Sequence, residues 1–416
     1  PQPAATRRNP PQPAASRPSR PSRPSRPSRP SRPSRPSRQV PAKVEFSSLR
    51  VRRQAADNKL QRRVREETAA MPEQSYEQGY DDKFSPLVDH VRTSNRQQFA
   101  SAAGLVVIQS GKVLVNWRGG AGTGPDGNRP VDIDSRFNVY SVRKAFIGLA
   151  AAITLANAKE WNVNSRVRDY VLDVMKDPDF QDVSPDLEIR HLLTHTHGLA
   201  EKRNGIVQSF RPGTRWMYNN VGVELLCRII RAISGKSVRD MLHQQVFGPA
   251  GLHHVDWEDE AQDIFVRDVH DPAMPPQLQL GPRNGHDRNL YTSPTDLARF
   301  AQLHLENGRL DGTQIVPAEV IAEAVSCQSP SGLDPDKPRH GYFWWLRVPY
   351  SKSTEIGPDV PPRSYQIAGM NGSLCLVMPD LDAVVVRTMN KIGAPIAFDR
   401  FGEFHRLGNL AAKLLS

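Results

Sequence analysis

The residues best suited to chemistry are Tyr140-Ser141-Val142-Arg143-Lys144. Ser141 and Lys144 form the one Ser-x-x-Lys of the chain. On a helix, positions three apart share a face, so the lysine amine can reach the serine hydroxyl. A serine hydroxyl needs a base before it becomes a nucleophile. A lysine on a buried helix loses solvation, which favours its neutral form and makes it a usable base. Ser141 at the helix start also meets backbone N–H groups that favour developing negative charge. A Ser-x-x-Lys arises by chance about once in a chain of this length, so the pair needs further residues to carry a conclusion.

Two other stretches supply them. Pro212-Gly213-Thr214-Arg215-Trp216-Met217-Tyr218-Asn219-Asn220 reads as a turn that delivers Tyr218 and Asn220 just before an apolar helix. A tyrosine beside a lysine ammonium has its phenolate favoured, so Tyr218 can relay protons. Asn220 offers a donor and an acceptor to a substrate ester or amide. The plain alternative is a tyrosine packed at a helix start. Ile367-Ala368-Gly369-Met370-Asn371-Gly372 leads into a strand from Ser373. A Gly-flanked strand edge lets a ligand approach the backbone. Its N–H groups can complete an oxyanion hole with the N–H of Ser141. An ordinary turn before a strand is the alternative here.

In this order, Ser-x-x-Lys, Tyr-x-Asn and a Gly-rich strand edge resemble the β-lactamase/penicillin-binding-protein-like serine hydrolases. The likeness is to the class C β-lactamase-related group, which includes esterases, D-stereospecific peptidases and amide hydrolases. Ile189 to Leu199 looks like the family's "LLTHTSGL" segment, with His197 where Ser is usual. Pro212 to Asn220 looks like its "PGxxxxYSN", and Tyr291 to Phe300 like its "DLARF" helix. Gly341-Tyr342-Phe343-Trp344-Trp345 resembles its aromatic strand, and Met378-Pro379-Asp380 its terminal hairpin. The resemblance spans residues 85–416. It implies that Ser141 is the acylated nucleophile and that Lys144 and Tyr218 share the proton transfers. It implies an oxyanion hole from the N–H groups of Ser141 and Met370, and substrate binding by Asn220, Gly369 and Asn371. It implies no cofactor and no metal.

One departure bears on the substrate. The family's third motif usually begins with Lys or His, and here that position is Ile367. A cation there helps bind the carboxylate of β-lactams and D-Ala-D-Ala peptides. Without it, esters or amides recognised otherwise gain support. Arg363, four residues upstream, is the nearby candidate to replace it. Other signals are set aside. His191, His195 and His197 offer a ligand spacing without a convincing third partner. Gly235-Lys236-Ser237 imitates the end of a phosphate loop, but Ile230 stands where the earlier glycine must be. There is no Gly-x-Ser-x-Gly, which argues against an α/β-hydrolase.

The elements that must position these residues are legible as patterns. Leu105–Ile108 and Val113–Val115 around Ser110-Gly111-Lys112 predict a β-hairpin. Ser141 to Ala156 predicts a helix that is apolar almost all round and therefore buried. Leu225 to Ile233 predicts a helix ending at Ser234-Gly235, and Ser293-Pro294-Thr295-Asp296 a helix start. Ser373–Met378 and Ala383–Arg387 predict a second hairpin, followed by a closing helix to Leu415. Trp344 and Trp345, adjacent in a strand, face opposite sides, one expected in the core and one at the cleft. Strands at both ends with helices between predict an α/β (α+β) fold: an antiparallel sheet from the N- and C-terminal segments, with an inserted helical region.

The 416 residues carry a net charge of +11 and are 38% hydrophobic. No run of eighteen apolar residues is present to span a membrane. Cys227, Cys327 and Cys375 allow one disulfide at most. Residues 1–43 hold ten Arg, one Lys and no acid, which accounts for the whole net charge. This argues against a specific nucleic-acid-binding domain, whose charge belongs on a folded face. Pro-Ser-Arg repeats seven times from Pro18 to Arg38, so 1–43 is expected to be a disordered basic tail. It is either a spacer or an arm for anionic cell-wall or membrane surfaces. Residues 44–75 are expected to be a charged linker or surface helix, and 76–416 the hydrolase domain. The chain starts at Pro1 without Met, so an upstream segment is expected. Location outside the cytoplasm is inferred from the resemblance and the tail. The expected activity is a serine hydrolase forming an acyl-enzyme on small-molecule esters or amides. The alternatives are a β-lactamase or D-Ala-D-Ala carboxypeptidase/D-aminopeptidase, and a catalytically silent cell-envelope binding protein. The oligomeric state is left open.

Overall fold

Alternating apolar residues on both faces of a strand demand a layer on each side, and the central strands of this chain have that pattern. A computed structural model describes residues 79–169, 183–203 and 205–416. The predicted tail and linker lie outside the described residues. Eight strands form one antiparallel sheet: β1 (Ala102–Gln109), β2 (Lys112–Thr123), β3 (Arg129–Pro130), β4 (Arg339–His340), β5 (Trp345–Leu346), β6 (Tyr365–Ala368), β7 (Leu374–Met378) and β8 (Ala383–Met389). Across the sheet they run β4-β5-β6-β7-β8-β1-β2-β3. The first and last parts of the domain therefore meet at its centre, with Val106 opposite Val386. The β1–β2 hairpin turns through Ser110 and Gly111, both at positive φ (49° and 71°), as the twist of paired strands requires.

Five longer helices cover the sheet: α1 (Ser85–Gln97), α2 (Arg143–Asn157), α3 (Val221–Ser234), α4 (Pro294–Leu305) and α5 (Arg400–Leu415). Leu105, Val107, Leu376 and Val385 join Leu87, Val88 and Val91 of α1 and Phe404 and Leu407 of α5 in one core. Their sequence neighbours Val106, Ile108, Val384 and Val386 join the inserted helices in another. Each fully buried Leu, Ile, Phe or Val contributes about 1.5–3 kcal/mol by leaving water. Helix α2 is buried from Arg143 to Thr154, as its all-round apolar sequence predicts. Phe146 fixes it to α4 by stacking on Phe300, with ring centroids 3.7 Å apart. Ser293 caps α4 by accepting a hydrogen bond from the Asp296 N–H at 3.0 Å.

The aromatic stretch differs from its prediction. Gly341 to Phe343 form a bend, and the strand begins only at Trp345. Trp344 and Trp345 do serve opposite cores, but both are buried, at 0% and 5% exposure. Trp345, buried in its core, packs edge-on against Trp216. A small second sheet orders Val255–Trp257, Leu290–Thr292, Arg136–Asn138 and Phe265–Val266 side by side. It carries the chain into the turn before α2. All three cysteines are free. Among the described residues no helix is long and apolar enough to cross a membrane.

Candidate active site

Ser141 lies in a 3-10 turn, Tyr140–Val142, that runs directly into α2. The turn is held on several sides. The Asn138 side chain accepts from the Tyr140 N–H at 2.9 Å and donates to the Arg288 carbonyl at 2.7 Å. Arg143 Nε donates to the His286 carbonyl at 2.9 Å. Tyr140 itself sits at φ 47°, a conformation that is strained for a bulky residue. Its hydroxyl donates at 2.8 Å to Asp268, whose carboxyl burial pushes well above the ordinary range. The strain immediately precedes the serine, and a buried hydrogen bond holds it in place.

The helical spacing does what it predicts. Lys144 Nζ is 3.1 Å from Ser141 Oγ. The Tyr218 hydroxyl donates to the same oxygen at 2.7 Å and is also in short contact with Lys144 Nζ. Two groups from two segments thus converge on one hydroxyl. Tyr218 reaches it because its segment is pinned to the His195–Leu199 stretch. The Met217 N–H donates to the His195 carbonyl at 2.9 Å, and Asn219 Nδ2 donates to the Leu199 carbonyl at 3.0 Å. The His195 ring lies 4.6 Å from the Tyr218 ring. His197, unusual for the resembled segment, accepts from the Leu199 N–H at 2.9 Å, and Gly222 leaves room for its ring. These histidines are scaffold. Among the described residues, no group of three or more His, Cys, Asp or Glu side chains is placed to hold a metal.

Electrostatics corrects one expectation. Lys144 is 1% exposed. Burial, aided by the charges of Arg143 and Arg288, holds its amine well below the ordinary lysine value. Burial also raises the Tyr218 phenol. Both shifts favour the neutral amine and phenol over the ammonium and phenolate. Lys144 is the group able to accept the Ser141 proton, and Tyr218 is a proton donor.

The Gly369–Gly372 turn lies against the same 3-10 turn. A Cβ on Gly369 would sit 2.7 Å from the Val139 carbonyl oxygen and from Asn371 Oδ1, so only glycine allows this approach. Asn371 is fully buried, and its amide donates to the carbonyls of Asn138 at 2.7 Å and Met389 at 2.6 Å. That corrects the sequence expectation of a substrate contact: the side chain staples the turn to the Ser141 segment. Between them, the N–H groups of Ser141 and Met370 take no part in the backbone hydrogen bonds of the described residues. Asn220 stands just before α3, and its side-chain Oδ1 is buried without a donor. Ile367 is 2% exposed and belongs to the core. Arg363 is exposed and ion-paired to Asp380 at the far end of the β7–β8 hairpin, so it does not replace the missing cation.

One residue near the pair had no sequence signal. Glu355 lies in the polar 351–358 loop, where Gln366 Nε2 donates to its carbonyl at 3.0 Å. Burial raises its carboxyl to about 7 against the charges of Arg400 and Lys144. Its Oε2 is buried without a partner.

A family model described as Beta-lactamase matches residues 80–401. An uncharacterized protein of Alkalihalophilus pseudofirmus is 29% identical over 328 residues, covering 79% of this chain and 95% of that protein. A penicillin-binding protein homolog from Caulobacter crescentus superposes with a TM-score of 0.64 at 18% identity, covering 82% of this chain and all of that one (100%). A family VIII carboxylesterase superposes with a TM-score of 0.61 at 18% identity, covering 80% of this chain and 99% of that one.

Proposed function

The chain belongs to the beta-lactamase family, whose members are serine hydrolases, and on that premise we propose that it hydrolyses esters or amides through an acyl-enzyme on Ser141. The observation that carries this reading is the convergence of Lys144 and Tyr218 on Ser141 Oγ at 3.1 and 2.7 Å. Ser141 Oγ attacks the substrate carbonyl carbon while its proton passes to Lys144 Nζ. The carbonyl oxygen takes the negative charge and is met by the N–H groups of Ser141 and Met370. Tyr218 gives its proton to the leaving oxygen or nitrogen and recovers one from the Lys144 ammonium. Water then attacks the ester carbon, yields its proton to the same pair, and frees Ser141. Asn220 orients the substrate from the start of α3.

The buried Ile367 and the paired Arg363 favour an esterase or linear-amide hydrolase over an enzyme that anchors a β-lactam carboxylate at the third motif. Intact-protein mass spectrometry with a fluorophosphonate, a penicillin and p-nitrophenyl butyrate tests this. A fluorophosphonate adduct and ester turnover without a penicillin adduct are expected. A penicillin acyl-enzyme would overturn the esterase assignment in favour of a β-lactamase or carboxypeptidase. No adduct and no turnover would overturn catalysis and leave a silent binding protein.

Glu355 gives a pH prediction. Its negative charge holds the Lys144 amine up, against burial. Lys144 must be neutral to accept the Ser141 proton, so activity rises as pH passes its apparent pKa. Glu355→Gln removes the anion and lowers that pKa. The acid limb of kcat/KM against pH is therefore expected at lower pH than in the wild type. A raised limb would overturn this action of Glu355, and an unmoved limb would place the Lys144 titration below about 7, where Glu355 is itself protonated.

A further inference from the structure

A cavity of about 420 Å³ opens beside the nucleophile, lined in part by Tyr140, Met370, Leu280, Asp287, Arg288 and Ile392. Tyr140 precedes Ser141, and Met370 carries one of the two free N–H groups. The cavity thus adjoins the backbone on both sides of the position a substrate carbonyl would take on Ser141. Resting on the hydrolase reading above, we propose that the exposed Arg288 guanidinium is the anion-recognising group of this cavity, so that the preferred ester or amide carries a carboxylate or similar single anion on the arm that enters it.

Four observations support this. First, the backbone of Arg288 is fixed relative to Ser141. Three consecutive carbonyls of its loop are held by side-chain donors: His286 by Arg143 at 2.9 Å, Asp287 by Trp257 at 3.2 Å, and Arg288 by Asn138 at 2.7 Å. Two of those donors flank the serine in sequence. A side chain on a floating loop could not give a defined subsite; this loop does not float.

Second, the guanidinium is uncommitted. Arg288 is exposed, and among the described residues its side chain has no hydrogen bond or ion pair. Three other basic side chains nearby are engaged. Lys391 is buried and donates to the carbonyls of His270 and Ile392. Arg143 is buried and donates to His286 and Tyr140. Arg283 is paired with Asp256.

Third, its charge reaches the chemistry. Arg288 bears electrostatically on Lys144, Tyr218 and Tyr140, and it lines the cavity together with Tyr140 and Met370. Fourth, the one carboxylate in the lining is engaged. Asp287 accepts from Asn284 Nδ2 at 3.2 Å and lies 3.6 Å from His286 Nε2. Arginine is suited to this task because its planar fork can take both oxygens of a carboxylate at once.

The test compares matched p-nitrophenyl esters on the full chain: a butyrate, a hemiglutarate carrying an acyl-side carboxylate, and an isosteric acyl-side amine. A butyrate ester of 3-hydroxybenzoate carries the charge on the leaving side. Wild type is expected to prefer one anionic ester over its neutral match by roughly ten- to a hundred-fold in kcat/KM. The preference should shrink with added salt. Because the Arg288 charge also acts on Lys144, the anionic-to-neutral ratio is the readout. Arg288→Gln should bring that ratio close to one, and Arg288→Lys should keep part of it. Arg363→Gln, which removes a paired surface arginine, should leave it unchanged. Equal rates for anionic and neutral esters, a preference for the amine, or a preference that survives Arg288→Gln would each overturn the anion site while leaving the hydrolase reading intact. Failure of wild type to turn over any ester or take the fluorophosphonate would overturn both.

Discussion

Ser141→Ala is expected to lower kcat on p-nitrophenyl butyrate by at least about 10⁴-fold and to abolish the fluorophosphonate adduct, with unchanged thermal stability. The substitution removes one oxygen, so the covalent step has no nucleophile. It leaves the backbone N–H of residue 141, the N–H of Met370 and the cavity in place, so residual rate above water and ordinary substrate binding should persist. Lys144→Met should cost nearly as much, because the hydroxyl then has no neutral amine within reach. The double variant should be little worse than either single one, since the two groups act as a unit. Additive losses would mean that Lys144 acts apart from Ser141. A Ser141→Ala protein of full activity would place the chemistry elsewhere.

The site is readable from the sequence where local geometry alone sets it. Ser141 and Lys144 meet because a helix brings positions three apart onto one face. Tyr218 is nearly as legible, because a turn before an apolar helix fixes where its side chain emerges. Asn371 was misread because a Gly-rich turn before a strand does not reveal whether its side chain points to the cleft or the interior. Only the carbonyls of Asn138 and Met389 turn it inward. Glu355 and Arg288 left no trace, since each sits in an irregular polar loop whose path is set by distant partners: Gln366 for one, Asn138, Arg143 and Trp257 for the other. The phenolate expectation failed for a related reason. Proximity of Lys144 and Tyr218 was legible, but the burial that neutralises both depends on helices far apart in sequence. The sheet was legible because its strands alternate or run apolar. The β4 and β5 strands, two residues each, carry no periodicity to read.

Arg387→Met is expected to lower the unfolding free energy by about 3–5 kcal/mol, read from denaturant midpoints. Arg387 and Glu403 are 0% and 2% exposed. Arg387 Nη2 donates to Glu403 Oε2 at 2.9 Å, Nη1 contacts Oε1, and His90 Nε2 lies 3.1 Å from Oε1. The charges of Arg387 and His90 outweigh burial and bring the Glu403 carboxyl down to about 2. A carboxyl depressed on folding stabilises the protein above its ordinary value near 4.5 and loses that contribution as pH falls toward about 2. Removing the arginine strands a buried carboxylate. Replacing both partners, Arg387→Met with Glu403→Leu, removes the charge as well and should restore most of the stability while flattening the acid loss between pH 4.5 and 2. Activity should not recover in step. Arg387 Nε also donates to the Gly372 carbonyl at 2.9 Å, and Gly372 closes the turn that carries the Met370 N–H proposed for the oxyanion hole. The double variant is therefore expected to be stable yet slow, with kcat reduced and KM little changed. Recovery of kcat together with stability would reduce Arg387 to a structural ion pair; a double variant as unstable as the single one would show that the loss lies in packing and not in the stranded charge.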